Sequence, residues 1–199
     1  MLKDLLKNYH IILASGSPRR HQFLKELDIP FIVRTKPVKE VYPENLKREQ
    51  ITNYLAQLKA EVFLKELKDN EILITSDTIV WHQDKALGKP ETTSEAFKML
   101  ESLSGKTHEV ISSVTFTTNE LQETVSNVTK VTFKELTKFE IDHYIINYHP
   151  LDKAGAYGIQ EWIGLIGITH VEGSYFNVVG LPTHLVYRCL VDIASGKNL

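Results

Sequence analysis

The segment Ser15-Gly16-Ser17-Pro18-Arg19-Arg20 has the residue types of an anion-binding site. It follows a short, largely apolar run over residues 9–14, so a strand should end and a helix should begin there. Serine hydroxyls, the free N–H groups of a helix start and forked arginine donors all suit phosphate oxygens. An ordinary N-cap with surface arginines is an equally good interpretation of the segment taken alone. The segment matches neither the dinucleotide-binding fingerprint nor a P-loop, which argues against both classes.

Asp77 follows a second apolar run, the predicted strand over residues 71–75. Ligands of open α/β sheets collect at the carboxyl ends of strands, where an aspartate can hold Mg²⁺ or orient water. A turn aspartate that bonds its own backbone is the alternative. Lys89, in the loop Gly88-Lys89-Pro90, offers a point charge for a phosphate, although a solvated turn lysine explains it too.

Residues 152–160 combine two glycines with few apolar side chains, which predicts a loop that carries binding groups. Tyr157 is expected to pack on a base or sugar. Gln160 offers both a donor and an acceptor for a base edge. A plain glycine-rich connector is the alternative interpretation.

Strands and helices must hold these segments in place, and their pattern predicts an α/β fold with a mixed twisted sheet and flanking helices. Val110 to Thr117 and Thr124 to Phe133 read as an antiparallel hairpin. The remaining strands are predicted at residues 9–14, 31–34, 71–75 with a continuation at 79–82, 164–171 and 176–179. Helices are predicted at residues 18–28, 48–68, 94–103, around 141–148 and from Pro182 onward.

The 199 residues carry 23 Lys and Arg against 25 Asp and Glu, which gives a net charge of −2 and argues against a nucleic-acid partner. No apolar run approaches the roughly 18 residues of a membrane span, so no membrane partner is expected. The single cysteine, Cys189, fits a cytoplasmic location. The eight histidines are scattered, without zinc-ligand spacing.

Taken together, the segments resemble the Maf family, nucleoside triphosphate pyrophosphatases related to septum formation inhibitors. The resemblance spans nearly the whole chain, which predicts one Maf-like domain over residues 1–199. It implies an elongated, two-lobed architecture of the Maf/ITPase kind with a central cleft. The matching segments are Leu13 to Arg20, Lys59-Ala60, Ser76-Asp77-Thr78, Gly88-Lys89-Pro90, Asp152 to Gln160 and Asn177 to Pro182.

The resemblance also implies hydrolysis of a nucleoside triphosphate to the monophosphate and pyrophosphate with a divalent metal. Asp77 matches the catalytic acidic residue of the family, and Arg19, Thr78 and Gln160 match positions associated with substrate choice. Residues 155–160 look like the dTTP/UTP branch rather than the 7-methyl-GTP branch. The family motif residues that match are Ser15, Arg19, Arg20, Glu40, Lys59, Asp77, Lys89 and Gln160.

Two places depart from the family pattern. Where the family often carries several acids, residues 35–42 keep only Glu40, among two lysines. After Gln160, the bulky residues Glu161 and Trp162 stand before Ile163-Gly164.

In the mechanism that this resemblance implies, Mg²⁺ or Mn²⁺ is held by Asp77 and Glu40 and activates water at the α-phosphorus. The phosphate charge is screened by four cationic side chains, and Ser15 binds further oxygens. Asp77, Lys59 and Lys89 form the expected catalytic set, with Asp77 either proton acceptor or metal ligand alone. The four screening residues are Arg19, Arg20, Lys59 and Lys89.

Two alternatives remain open at the level of sequence. One is the same reaction on 7-methyl-GTP or another modified nucleotide. The other is a non-catalytic, nucleotide-sensing regulator of cell division. A homodimer is compatible with either.

Overall fold

The computed structural model describes residues 2–197. The strands are β1 (His10–Leu13), β2 (Phe31–Val33), β3 (Glu71–His82), β4 (Lys85–Leu87), β5 (Thr107–Thr117), β6 (Gln122–Phe133) and β7 (Ile168–Glu172). The α-helices are α1 (Leu2–Leu5), α2 (Pro18–Glu26), α3 (Glu49–Glu61), α4 (Thr93–Leu103), α5 (Lys138–Tyr148), α6 (Trp162–Gly167), α7 (Tyr175–Val179) and α8 (Thr183–Ala194). Short 3₁₀ turns lie at Leu64–Glu66, Pro150–Asp152 and Ala154–Ala156.

The strands form one seven-stranded sheet in the order β2-β1-β3-β5-β6-β7, with β4 paired to β3. β1 runs parallel to both β2 and β3, whereas β4 is antiparallel to β3 and β7 is antiparallel to β6. Adjacent β5 and β6 are joined by residues 118–121 alone, a link that only antiparallel strands allow. The predicted mixed sheet and its hairpin are therefore confirmed.

Local sequence explains where the helices begin. Pro18 occupies the first turn of α2, a position that needs no N–H. The Thr92 hydroxyl caps α4 by accepting from the Glu95 N–H. Thr137 and Glu140 close a capping box at the start of α5.

Two compact units divide the described residues. The first unit comprises residues 2–77, 112–127 and 180–197, and the second comprises residues 78–111 and 128–179. Each has its own packed interior: Ile12, Ala60, Phe63 and Leu73 cluster in the first unit. In the second unit, α4, α5 and residues 154–163 enclose a larger cluster. The single domain over residues 1–199 and the central cleft stay predictions.

Two strand predictions were wrong. Residues 162–167 form α6, so only the later part of the predicted strand at 164–171 is extended, and residues 175–179 form α7. Short apolar runs do not separate strand from helix by periodicity. The helix at this place requires a glycine, because a Cβ at Gly164 would lie 1.9 Å from the Ile159 carbonyl oxygen. The missing side chain lets the first turn of α6 close against Ile159.

No helix within residues 2–197 is long and apolar enough to cross a membrane.

Candidate active site

Asp77 lies on β3, in the part of the strand that belongs to the first unit. Its side chain is 7% exposed, and Oδ1 accepts a 2.6 Å hydrogen bond from Nζ of Lys59 on the last turn of α3. Thr75, two residues earlier and on the same face, donates to the Ala56 carbonyl oxygen at 2.7 Å. The packing of α3 on this face of β3 therefore sets the position of Lys59.

Glu40 joins the same ammonium from a segment without helix or strand. Its Oε1 lies 3.1 Å from Nζ of Lys59, and its side chain is 48% exposed. Lys36 holds this segment against the residues that follow α3, because its Nζ donates to the Val62 carbonyl oxygen at 2.8 Å and to Glu66 at 2.6 Å. Lys59 thus contacts two carboxylates, one buried and one half-exposed.

Arg20 connects the start of α2 with the middle of β3, next to Asp77. Its Nη1 donates to the Ser76 carbonyl oxygen at 2.8 Å, and its Nε donates to the Gly180 carbonyl oxygen at 2.9 Å. A longer contact of 3.5 Å reaches Oγ of Ser15. Part of this guanidinium is therefore engaged in holding three backbone segments of the first unit together.

Burial and charge act in opposite directions on Asp77. Burial raises the pKa of its carboxyl above the ordinary value, while Lys59 and Arg20 pull that pKa down. Burial also lowers the pKa of Arg20, although a guanidinium stays charged in proteins. The raised pKa makes the Asp77 carboxylate a stronger base than that of an exposed aspartate, and the carboxylate contacts the Lys59 ammonium.

Ser15 and Ser17 do not act as a simple helix cap. Ser17 is the N-cap residue of α2, but its side chain makes no capping hydrogen bond. Its N–H donates instead to Oγ of Ser15 at 3.2 Å, and a ring nitrogen of His21 lies 2.6 Å from the Ser15 carbonyl oxygen. The Ser15 side chain is thereby held beside Arg20. Arg19 is partly exposed on the first turn of α2.

The other predicted residues lie in the second unit. Thr78 follows Asp77 on β3, while Lys89 and Gln160 are exposed on two loops. The N–H of Gly155 donates to the Gly88 carbonyl oxygen at 3.0 Å. The two loops that carry Lys89 and Gln160 are therefore bonded to each other.

Tyr157 does not face solvent, so the prediction that it packs on a base was wrong. It is 6% exposed and its Oη lies 2.7 Å from Nε2 of His108. Its ring meets Phe133 edge to face with centroids 5.1 Å apart. Tyr157 therefore belongs to the core of the second unit, where it anchors the loop.

Sequence reasoning missed three residues around Gln160. Tyr144, Lys153 and Glu161 form a polar network beneath the loop, in which Tyr144 and Lys153 are buried and Glu161 is partly exposed. The available signal was Glu161, an acidic residue directly after the glutamine where the family pattern differs.

A divalent metal fits the carboxylates of the first unit. No group of three or more His, Cys, Asp or Glu between residues 2 and 197 is arranged to hold a metal ion. Asp77 and Glu40 nevertheless converge on one cation, the Lys59 ammonium. Two carboxylate oxygens suit Mg²⁺ or Mn²⁺, since such ions complete their shell with water and substrate phosphates.

Comparison with solved structures gives the fold class first. The Staphylococcus aureus Ham1 protein aligns with a TM-score of 0.50 and 16% identity, over 89% of this chain and 97% of that one. At this identity the likeness concerns the fold alone, and it agrees with the predicted mixed α/β architecture.

Sequence comparison then gives the family. A family model described as Maf-like protein matches residues 10–193. Relatives named dTTP/UTP pyrophosphatase include one from Christiangramia forsetii, 60% identical over 98% of this chain and 100% of its own. Another from Flavobacterium johnsoniae is 61% identical over 97% and 100%, and one from Bacteroides fragilis is 48% identical over 94% and 98%. The chain belongs to the Maf family.

Proposed function

We propose that this protein hydrolyses nucleoside triphosphates, dTTP and UTP foremost, to the monophosphate and pyrophosphate. The observation that carries the proposal is the buried Asp77 carboxylate, held by Lys59 with Glu40 and Arg20 beside it. The name dTTP/UTP pyrophosphatase of relatives 60% and 61% identical over nearly the full chain supports the same reaction.

The reaction replaces one bond to the α-phosphorus by another. A water oxygen bonds to that phosphorus while the bond to the oxygen bridging to the β-phosphate breaks, and pyrophosphate leaves with the electron pair. One proton of the water goes to an acceptor, for which Asp77 is our candidate. Its position in a buried, cation-lined site and its raised pKa favour this role.

Cationic side chains lower the free energy of binding a triphosphate, which carries about four negative charges at neutral pH. We assign this screening to Arg19, Arg20, Lys59 and Lys89, and assign further oxygen contacts to Ser15 and the start of α2. For Arg20, the bonds to Ser76 and Gly180 indicate that it orients the site as well. Thr78 and Gln160 are assigned to base selection, because they match the family positions for substrate choice.

The metal completes the proposal. Asp77 and Glu40 are the residues that would hold Mg²⁺ or Mn²⁺. When bound, such an ion polarises the α-phosphoryl oxygen and lowers the pKa of water. Asp77 as proton acceptor and Asp77 as ligand both require its negative charge.

Pyrophosphate release over a panel of nucleoside triphosphates, including 7-methyl-GTP, tests the proposal. We expect release from dTTP and UTP with Mg²⁺ or Mn²⁺, and a loss of about a thousandfold in Asp77→Asn. Asp84→Asn is the matched control, since Asp84 is exposed in the turn after β3 and should leave turnover unchanged.

Different failures would have different meanings. Faster turnover of 7-methyl-GTP would overturn the substrate and keep the reaction. Nucleotide binding without pyrophosphate release would favour the nucleotide-sensing regulator. Near wild-type turnover in Asp77→Asn would remove Asp77 from the chemistry.

We further propose a cytoplasmic protein whose partner is the nucleotide, without a nucleic-acid or membrane partner. The net charge of −2 and the single, buried Cys189 support this setting. A homodimer stays a prediction, and gel filtration with light scattering tests it.

A further inference from the structure

Gln160 lies in a tight turn formed by residues 158–161, here called the Gln160 turn. Its backbone is closed by the Glu161 N–H, which donates to the Gly158 carbonyl oxygen at 3.0 Å. The space inside the turn is small, since a Cβ at Gly158 would lie 2.9 Å from Cδ of Glu161 and 3.0 Å from Nε2 of Gln160. The Gln160 carboxamide therefore folds over a backbone position where a side chain would displace it.

A second connection closes the same turn through side chains. The Gly158 N–H donates to Oη of Tyr144 at 3.0 Å, and the Tyr144 hydroxyl donates in turn to Oε2 of Glu161. Tyr144 is fully buried on α5, so this hydroxyl is held by the core of the second unit. The two ends of the Gln160 turn are thus bonded to one fixed atom.

Lys153 fixes the carboxylate that completes this connection. Its Nζ lies 3.1 Å from Oε1 of Glu161 and 2.6 Å from Oδ1 of Asp152, and the residue is 8% exposed. Glu161 therefore uses one oxygen for Lys153 and the other for Tyr144. The Glu161 carboxylate thus supplies both acceptors of this network.

We propose that Tyr144 and Glu161 are positioning residues for base selection: by bonding both ends of the Gln160 turn, they hold the Gln160 carboxamide in the orientation that meets the base. The inference rests on the proposed function, in which Gln160 contacts the base. Neither Tyr144 nor Glu161 touches the substrate in this proposal. Their loss should therefore act on selectivity and KM rather than on kcat.

Tyr144→Phe removes one hydroxyl and keeps the ring. We expect the preference for dTTP over CTP, measured as the ratio of kcat/KM values, to fall about tenfold, mostly through KM. Tyr148→Phe is the matched control, because Tyr148 stacks on Tyr144 from the same helix with centroids 5.2 Å apart and is 39% exposed. It should keep the wild-type ratio.

A double-mutant cycle separates positioning from mere stability. Gln160→Ala should lose the same preference, and Tyr144→Phe combined with Gln160→Ala should lose no more than Gln160→Ala alone. Glu161→Gln keeps an acceptor for Tyr144 but loses the ion pair with Lys153, so its ratio should lie between wild type and Tyr144→Phe. It is also the variant to use if Tyr144→Phe does not fold, as judged by thermal melting.

The outcomes distinguish this inference from the proposed function. If wild type shows no pyrophosphate release, both fall. If Gln160→Ala loses the preference while Tyr144→Phe and Glu161→Gln keep it, the positioning role is overturned and the proposed function stands. Additive losses in the double mutant, or a preference unchanged in Gln160→Ala, also overturn it.

Discussion

In the first unit, the Lys59 ammonium lies between Asp77 and Glu40, and both carboxylates depend on one flexible side chain for their contact. In the second unit, Tyr144 bonds to a backbone N–H and to Glu161, so its polar group is tied to the main chain. The first arrangement can exchange partners when an anion or a metal arrives. The second arrangement holds a loop in one conformation.

Under the proposed function, the first cluster serves the phosphates and the metal, and the second serves the base. The ion pairs of the first unit suit a polyphosphate and a divalent ion. A phosphate can take over the contacts of the Lys59 ammonium, and a metal ion can take over those of the two carboxylates. A hydrogen-bond network tied to the backbone suits the recognition of a base edge, where small displacements cost selectivity. The following changes test whether the two clusters really differ in this way.

The largest effect is expected from Lys59→Met. Removing the ammonium leaves Asp77 buried with less compensation, so the pKa of its carboxyl should rise further. We expect kcat/KM to fall about a hundredfold and the acid limb of its pH profile to move to higher pH. Measurement of kcat/KM between pH 5 and pH 9 checks both.

The matched control is Lys65→Met, since Lys65 is exposed in the turn after α3. Lys59→Arg should recover part of the rate because it restores the charge. An unshifted acid limb in Lys59→Met would mean that Asp77 does not govern it.

A pH effect on stability is expected in the second unit, at His108. Burial, with a smaller contribution from His82, lowers the pKa of His108 to about 3. Between that value and the ordinary pKa near 6.5, the unfolded chain binds a proton that the folded chain does not. Stability should therefore fall by about 2.5 kcal/mol from pH 6 to pH 4 through this group alone.

Denaturant unfolding of wild type and His108→Gln at the two pH values measures this contribution. The glutamine can still bond to the Tyr157 hydroxyl, so the variant should lose much of the pH dependence. His184→Gln serves as the control, because His184 is exposed on α8. Equal pH dependence in wild type and His108→Gln would show that His108 is protonated in the folded protein at no cost in stability.

The smallest effect is expected from Glu40→Gln, because Glu40 is half-exposed. If Glu40 shares a metal with Asp77, the Mg²⁺ concentration for half-maximal activity should rise about tenfold, with little change at saturation. Glu44→Gln, an exposed neighbour, is the control. An unchanged Mg²⁺ requirement would leave Asp77 as the sole carboxylate ligand.

Much of this architecture was accessible from sequence because its signals are local. Pro18 marked the start of α2, and the spacing of Ala96, Met99, Leu100 and Leu103 marked the buried face of α4. The alternative of a simple cap at Ser17 is excluded only by the three-dimensional structure, in which its hydroxyl makes no capping bond.

Other features depend on contacts between distant residues and were therefore out of reach. Tyr157 resembles a base-stacking residue in sequence, and only its bond to His108 places it in the core. The hydrogen bond from Tyr144 to Glu161 joins two residues whose spacing in the sequence matches no recognisable motif. The hydropathy pattern predicts a strand over residues 164–167. It does not show that Gly164 leaves space for the Ile159 carbonyl group, which the helix requires.

β3 has one further consequence, which concerns the charge of Asp77. Almost every residue of this strand is buried, and a carboxylate stands in its midst. Breaking a buried ion pair by removing one partner is strongly destabilising, so the ionised Asp77 depends on Lys59 and hence on α3. The packing of α3 on the sheet and the charge state of this strand are thereby coupled.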